Sequence, residues 1–128
     1  ILFVQSKRNL NVRDISLNKW KELLSANDND EKHFLISKGA IPVAYLKING
    51  LKSASEAWIS MLFVAKNFQR QGIGSFAISY AEEYVREKNF TTIAIQTDED
   101  NLPAKNLYLK CGYRIYEKGS KIKLRKKL

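Results

Sequence analysis

A glycine-containing segment, residues 69–74 with the sequence QRQGIG, most constrains how this chain can fold. It lies between an apolar run that ends at Val64 and a long amphipathic stretch, which predicts a strand, a tight turn and the start of a helix. The first N–H groups of a helix have no partner within it, so they can bind an anion. Gly72 and Gly74 carry no side chain, which would let the anion lie directly on the main chain. The segment therefore predicts a phosphate-binding helix N-terminus.

Context decides between a binding role and simple turn geometry for these two glycines. A glycine pair by itself is typical of many tight turns. Its position between a predicted strand and a predicted helix favours binding. The segment lacks the Gly-Lys-Ser/Thr sequence of nucleoside triphosphatases and the longer dinucleotide fingerprint, so ATP hydrolysis and NAD binding are not expected.

The residues around this segment predict an α/β unit with two parallel strands. Residues 58–64 are almost all apolar, as in a central strand that is covered on both faces. Residues 91–97 are β-branched and alternate in polarity, which predicts the next strand. A strand, a helix and a second strand in this order imply parallel neighbours joined by a right-handed crossover.

The helix after the glycine segment is predicted from the spacing of its apolar residues. The side chains of its apolar stripe are Ile73, Phe76, Ala77, Tyr80, Ala81, Tyr84 and Val85. The predicted polar face carries Glu82, Glu83, Arg86 and Glu87. We therefore expect the helix to pack its stripe on the sheet and to expose the four charged side chains.

Turn and capping residues predict the elements on either side of this unit. Helical spacing after Ser16, which can cap an N-terminus, predicts a helix over residues 17–26. Residues 33–37 and 41–48 predict a hairpin.

The C-terminal part of the chain is predicted to add a short helix and a second hairpin. Asn101 as a cap and Pro103 near the first turn start this helix, and Gly112 ends it. Residues 113–118 and 121–128 then predict two paired strands.

Composition limits the domain organisation and the class of partner. A chain of 128 residues with 45% hydrophobic content predicts a single domain over residues 1–128. Its 22 basic and 13 acidic residues give a net charge of +9, which favours anionic partners. The single cysteine, Cys111, and the absence of a visible targeting or membrane segment predict a cytoplasmic location and no membrane partner.

Two segments with the correct order and spacing resemble the GCN5-related N-acetyltransferase (GNAT) superfamily. The family signature Gln/Arg-x-x-Gly-x-Gly/Ala is matched by Gln69, Gly72 and Gly74. The sequence NLPAKNLYLKCGY, residues 101–113, resembles the family segment Asn-x-x-Ala-x-x-Leu-Tyr-x-x-x-Gly-Phe. The resemblance is close over about residues 58–116, whereas the N-terminal third agrees only in the order of its elements. It implies a GNAT-like acyl-CoA N-acyltransferase fold, with a mixed central sheet, a splayed parallel strand pair and flanking helices.

The resemblance also implies acetyl-CoA as acetyl donor and assigns residues to it. The pyrophosphate would take main-chain N–H groups of the glycine segment and side-chain donors from Gln69 and Arg70, and the pantetheine arm would lie along residues 62–64. Asn101 would combine its capping role with a cofactor contact, and for Asn106 a cofactor contact and simple solvation at the edge of the core are equally expected. The cofactor-binding residues implied are Leu62, Phe63, Val64, Gln69, Arg70, Gln71, Gly72, Ile73, Gly74, Ser75, Asn101 and Asn106.

Tyr108 has two interpretations. Spacing alone favours core packing, because Tyr108 shares a helix face with Ala104, Leu107 and Cys111. The resemblance favours a catalytic acid, since a phenol with a reference pKa of about 10 can protonate the departing thiolate.

The sequence does not identify the base that would accept the proton of the attacking amine. Many members of the family carry a carboxylate four residues before the position of Val64, and this chain has Ser60 there. Glu56 and the acidic residues 98–100 are possible substitutes, although solvated loop carboxylates are the expected interpretation of each. A base that acts through ordered water is equally plausible.

The resemblance favours direct transfer of an acetyl group to a primary amine of a small molecule or peptide. A non-catalytic acyl-CoA sensor is the alternative, motivated by Ser60. Nucleic-acid binding is not expected, because only the basic surplus supports it. His33 has no second ligand at metal-binding spacing, so we expect no metal site and assign it no role. The acceptor and the oligomeric state, a homodimer included, are not fixed by the sequence.

Overall fold

The computed structural model describes residues 9–14, 30–52 and 55–128, which form a seven-stranded sheet and two α-helices. The strands are β1 (Leu10–Asp14), β2 (Lys32–Lys38), β3 (Ile41–Asn49), β4 (Ala57–Val64), β5 (Thr92–Asp98), β6 (Arg114–Lys118) and β7 (Lys121–Lys127). The helices are α1 (Ile73–Glu87) and α2 (Leu102–Lys110), and a 3₁₀ turn covers Lys66–Phe68. The helix predicted over residues 17–26 lies outside the described residues.

The strand order is β1-β2-β3-β4-β5-β7-β6. Strands β4 and β5 are parallel, and the other neighbouring pairs are antiparallel. Both predicted hairpins, β2–β3 and β6–β7, are confirmed. Among the described residues, no helix is both long enough and apolar enough to cross a bilayer.

The parallel strands diverge after a bulge in β4. Strand β4 pairs with β3 as far as Val64, but its last pair with β5 joins Ile59 to Ile95. Lys47 pairs with Met61 and the next residue of β3 pairs with Ile59, so Ser60 is the extra residue of a bulge. Bulges increase local twist and bend a strand. Residues 60–64 therefore border an opening between the two strands, the β4–β5 gap, which confirms the predicted splayed pair.

Helix α1 covers one face of this sheet. The ring centroid of Phe34 on β2 lies 5.1 Å from that of Tyr80 and 5.0 Å from that of Tyr84. Because side chains alternate along a strand, Leu62 and Val64 face the α1 side, whereas Met61 and Phe63 face away. Met61 is 50% exposed and Phe63 is 62% exposed. The prediction that residues 58–64 are covered on both faces is therefore wrong beyond the bulge.

The prediction that Glu82 lies on an exposed face of α1 is also wrong. Glu82 is only 7% exposed. The hydroxyl of Tyr113 donates to its carboxylate at 2.8 Å, and the Lys126 ammonium lies 3.1 Å from both carboxylate oxygens. Lys126 also donates to the carbonyl of Cys111 at 2.9 Å. The flank of α1 is polar because it packs against β7 and the end of α2, which supply these partners.

Candidate active site

A cavity of about 610 Å³ lies where the end of β4, the glycine segment and α2 meet. Its lining combines apolar side chains, amide and hydroxyl groups, main chain and two cations. The lining residues are Leu62, Val64, Gln69, Arg70, Gly72, Gly74, Ser75, Asn101, Pro103, Ala104, Leu107, Tyr108 and Lys110. The cavity therefore brings together the two segments that carry the sequence motifs.

Gly72 and Gly74 shape the start of α1 in different ways. Gly72 is the N-cap, with φ +80°, and no side chain caps the helix. A positive φ of this size is a backbone conformation that residues with a Cβ rarely adopt. A Cβ on Gly74 would lie 3.0 Å from Cδ2 of Leu107, so this glycine lets α2 approach closely. The result is a helix N-terminus whose main chain borders the cavity.

The polar side chains of the glycine segment have different partners. Gln69 donates from Nε2 to the carbonyl of Val64 at 3.1 Å, which ties the segment to the end of β4. Gln71 donates to the carbonyl of Asn67 at 3.4 Å and is not part of the cavity lining. Arg70 lines the cavity and has no ion pair within the described part of the chain. Its charge, with that of Lys110, makes the cavity electropositive.

Tyr108 packs in the core and lines the cavity at the same time. It is only 8% exposed. Burial, with a smaller contribution from Cys111, raises the pKa of its phenol, so the group is held in its protonated form. The helix that carries it is fixed at both ends: Oδ1 of Asn101 accepts from the Ala104 N–H at 3.3 Å, and the Tyr113 N–H donates to the Tyr108 carbonyl at 3.0 Å.

Most of the sequence-predicted site residues line this cavity, but four do not. Phe63 lies on the opposite face of the sheet, and Ile73 is 2% exposed within the core. Gln71 and Asn106 are exposed outside the lining. A ligand contact by these four side chains stays a prediction.

Sequence reasoning did not assign four of the lining residues to the site. They are Pro103, Ala104, Leu107 and Lys110. Ala104 and Leu107 belong to the helix face that carries Tyr108, so projecting the helix from Tyr108 would have found them, whereas Pro103 is offset from that face. Lys110 carries no comparable signal.

The carboxylates considered as bases lie outside the cavity lining. Glu56 accepts hydrogen bonds from the guanidinium of Arg125, one of them 3.0 Å long, and its side chain is 15% exposed. These bonds hold the pKa of Glu56 below its ordinary value. The prediction that the carboxylate of Glu56 is solvated is therefore wrong. Asp98 is exposed and pairs with Lys121 at 2.9 Å, and residues 99 and 100 are exposed.

Comparison with known proteins gives a consistent result. The model of the Acetyltransferase (GNAT) family matches residues 5–113. GCN5-related N-acetyltransferase 6, chloroplastic, from Arabidopsis thaliana is 32% identical over 75 residues, which are 59% of this chain and 26% of that protein. The match thus spans about a quarter of that relative's length.

Solved structures share the fold at low sequence identity. A GNAT family acetyltransferase from Elizabethkingia anophelis with acetyl-CoA bound has a TM-score of 0.79 and 18% identity, over 95% of this chain and 100% of that chain. The GNAT domain of S. lividans PAT has a TM-score of 0.78 and 17% identity, over 99% and 96%. Spermidine/spermine N-acetyltransferase from Vibrio cholerae has a TM-score of 0.76 and 15% identity, over 93% and 92%.

Proposed function

This chain belongs to the acetyltransferase (GNAT) family, and from that premise we propose that it transfers an acetyl group from acetyl-CoA to a primary amine of a small molecule or peptide. One observation carries the proposal. A single cavity joins the uncapped, glycine-containing N-terminus of α1 to the buried phenol of Tyr108. An anion site and a proton donor in one cavity are what the transfer of an acyl group from a coenzyme A thioester requires.

The glycine segment is the proposed site for the diphosphate of acetyl-CoA. Main-chain N–H groups that follow Gly72 would donate to the phosphate oxygens, and the partial positive charge of the helix N-terminus would stabilise them. Arg70 and Lys110 line the same cavity and would add full positive charges. The surplus of basic residues in the chain supports an anionic ligand as well.

The edge of β4 is the proposed site for the pantetheine arm. Within the described parts of the chain, residues 60–64 have no strand partner on the β5 side. An extended ligand could therefore lie along this edge, as peptides do when they add to the edge of a sheet. Leu62 and Val64 line the cavity here and would provide apolar contact.

The proposed reaction is direct attack of the amine on the thioester. A bond forms between the amine nitrogen and the carbonyl carbon, the carbon–sulfur bond breaks, and Tyr108 donates its phenolic proton to the departing sulfur. Water would take the proton lost by the amine and return one to Tyr108, because none of the described residues that line the cavity carries a carboxylate. The lone thiol of the described residues, Cys111, is not part of the lining, which supports direct transfer without a covalent acyl-enzyme.

Release of coenzyme A tests the proposed function. We expect the purified chain to bind acetyl-CoA in calorimetry and to release free thiol only when a primary amine is present, with a panel that includes a polyamine, an arylalkylamine and a peptide with a free N-terminus. The missing carboxylate at Ser60 motivates the alternative, a sensor that binds without transfer. Binding without amine-dependent release would favour that sensor, and an absence of binding would overturn both.

Replacing Gly72 with alanine is expected to weaken coenzyme A binding by about tenfold, or ~1.4 kcal/mol. The φ of Gly72 is +80°, which an alanine adopts only with strain, so the main chain at the proposed diphosphate site would have to shift. Calorimetric titration with coenzyme A measures the Kd. Gly119→Ala is the matched control, because a Cβ there makes only an ordinary contact at 3.8 Å. Equal affinities for the two variants would contradict the proposed diphosphate site.

A further inference from the structure

Three polar side chains form a bonded cluster between α1 and the end of α2 that the proposed function does not use. We call it the Glu82 cluster. Its members are Glu82 on α1, Tyr113 in the connection between α2 and β6, and Lys126 on β7. None of the three lines the cavity, so a role in the reaction would have to act through other residues.

The bonds of the cluster give it one fixed geometry. Burial, with smaller contributions from Glu82, raises the pKa of the Tyr113 phenol, so this hydroxyl keeps the proton that it donates to Glu82. Replacing a buried ion pair with apolar residues of similar volume is often neutral for the stability of a protein. The free energy of folding alone therefore does not require charged groups at this place. What their bonds add is a defined position for the elements that carry them.

Tyr113 is joined to Tyr108 by the turn that ends α2. The Tyr113 N–H donates to the Tyr108 carbonyl at 3.0 Å, and the Gly112 N–H donates to the Leu109 carbonyl at 3.0 Å. Gly112 has a φ of +97°. These two bonds and the positive φ are those of a Schellman motif, a common end of helices. The position of Tyr108 therefore follows that of Tyr113.

The Glu82 cluster holds this turn against α1 by two bonds. The first joins the hydroxyl of Tyr113 to the carboxylate of Glu82. The second is made by Lys126, whose ammonium binds the same carboxylate and donates to the carbonyl of Cys111 at 2.9 Å. Cys111 is the C-cap of α2. One side chain and one carbonyl at the end of α2 are thus tied to a single carboxylate of α1.

Helix α1 carries both this carboxylate and, at its N-terminus, the proposed diphosphate site. Near that N-terminus, the missing side chain of Gly74 lets Leu107 approach closely. Gly74 and Glu82 are eight residues apart, or about 12 Å along a helix. Helix α2 and its final turn are thus held against α1 at two separate places. The position of the Tyr108 phenol relative to the diphosphate site depends on both.

We propose that the Glu82 cluster positions the phenol of Tyr108 for proton transfer to the sulfur of acetyl-CoA. This inference rests on the proposed function. Tyr108 gives its proton to the sulfur as the carbon–sulfur bond breaks, and the cluster keeps its own protons. Its three members are positioning residues, because they act on Tyr108 through the end of α2. A general acid must lie within hydrogen-bonding distance of the atom that it protonates, and a small displacement lowers the rate steeply.

The variant Tyr113→Phe tests the inference. It keeps the buried ring and removes only the hydroxyl that binds Glu82. We expect kcat with the best amine of the panel to fall about fivefold. The calorimetric Kd for coenzyme A should stay at the wild-type value, because the glycine segment is unchanged. Tyr84→Phe is the matched control, since it removes a phenolic hydroxyl from α1 outside the cluster and the cavity lining, and its kcat should equal that of the wild type.

The variant Lys126→Met removes the ammonium and keeps an unbranched side chain. It loses the bonds to Glu82 and to the carbonyl of Cys111, so we expect a fall in kcat of about tenfold with an unchanged Kd for coenzyme A. Lys127→Met is the matched control. Lys127 is the exposed neighbour on the other face of β7, and its loss should leave kcat at the wild-type value.

A double variant separates positioning from a general loss of stability. Tyr108→Phe has no phenolic proton to position, so adding Tyr113→Phe should lower kcat no further. If the two losses multiplied, or if Tyr113→Phe and Lys126→Met both kept the wild-type kcat, the inference would be overturned and the proposed function would stand. Full kcat in Tyr108→Phe alone would overturn it as well. An absence of wild-type turnover with every amine would overturn both the inference and the proposed function.

Discussion

Replacing Tyr108 with phenylalanine is expected to lower kcat by about 100-fold and to leave the Kd for coenzyme A unchanged. Phenylalanine keeps the ring that packs in the core and removes only the proton donor. Because the sulfur gains charge only as the carbon–sulfur bond breaks, the lost interaction belongs to the transition state and not to binding. Steady-state kinetics with the best amine of the panel, together with calorimetric titration with coenzyme A, measure the two quantities.

The control for this variant is Tyr84→Phe, which removes a phenolic hydroxyl from α1 outside the cavity lining. Its kcat should equal that of the wild type. If Tyr108→Phe retained full kcat, Tyr108 would have only its packing role, and the acid would have to be another group or water.

The raised pKa of Tyr108 also predicts a pH dependence. A phenol acts as an acid only while it is protonated, and burial moves its pKa above the ordinary value of about 10. We therefore expect no loss of kcat from ionisation of Tyr108 between neutral pH and about pH 9. A fall in kcat within that range that Tyr108→Phe abolishes would contradict the assignment.

Local signals in the sequence were enough to predict most of the elements. The β2–β3 hairpin and the cap of α2 by Asn101 depend on neighbouring residues, and both are confirmed. The bulge at Ser60 was not predicted, because it depends on how β4 pairs with β3 and leaves no trace in an apolar run. For the same reason the exposure of Met61 and Phe63 was missed.

In the candidate site, too, the sequence predicted what depends on local motifs and missed what depends on how the strands pair. Gly72 and Tyr108 were predicted to share a site, and they line one cavity. The sequence motif did not separate Leu62 from Phe63, although strand alternation sends their side chains to opposite faces. The hydrogen bonds that join Glu31, His33, Asn49 and Ser60 could not be predicted either, because these residues come from three strands and the residue before β2.

Replacing Glu82 with alanine is expected to lower the free energy of unfolding by about 3 kcal/mol. The change leaves the Lys126 ammonium and the buried hydroxyl of Tyr113 without their shared acceptor. Removing one partner of a buried ion pair costs about 3–5 kcal/mol. We take the lower end, because the Lys126 side chain is 29% exposed and water can reach it. Urea denaturation followed by circular dichroism should show the midpoint shifted by about 1.5 M for a slope near 2 kcal/mol/M.

Glu83→Ala is the matched control, because it removes the adjacent carboxylate of the same helix. The Glu83 side chain is 56% exposed, and among the described residues it pairs only with Arg86 one turn later, so its loss should cost less than about 0.5 kcal/mol. The apolar periodicity of α1 predicted that Glu82 and Glu83 lie on the same exposed face. The difference between the two variants tests whether Glu82 lies on a buried face instead. Equal urea midpoints for the two variants would contradict this prediction. The hydrogen bonds and ion pair of Glu82 would then only compensate for the cost of its burial, and apolar packing alone would hold the end of α2 against α1.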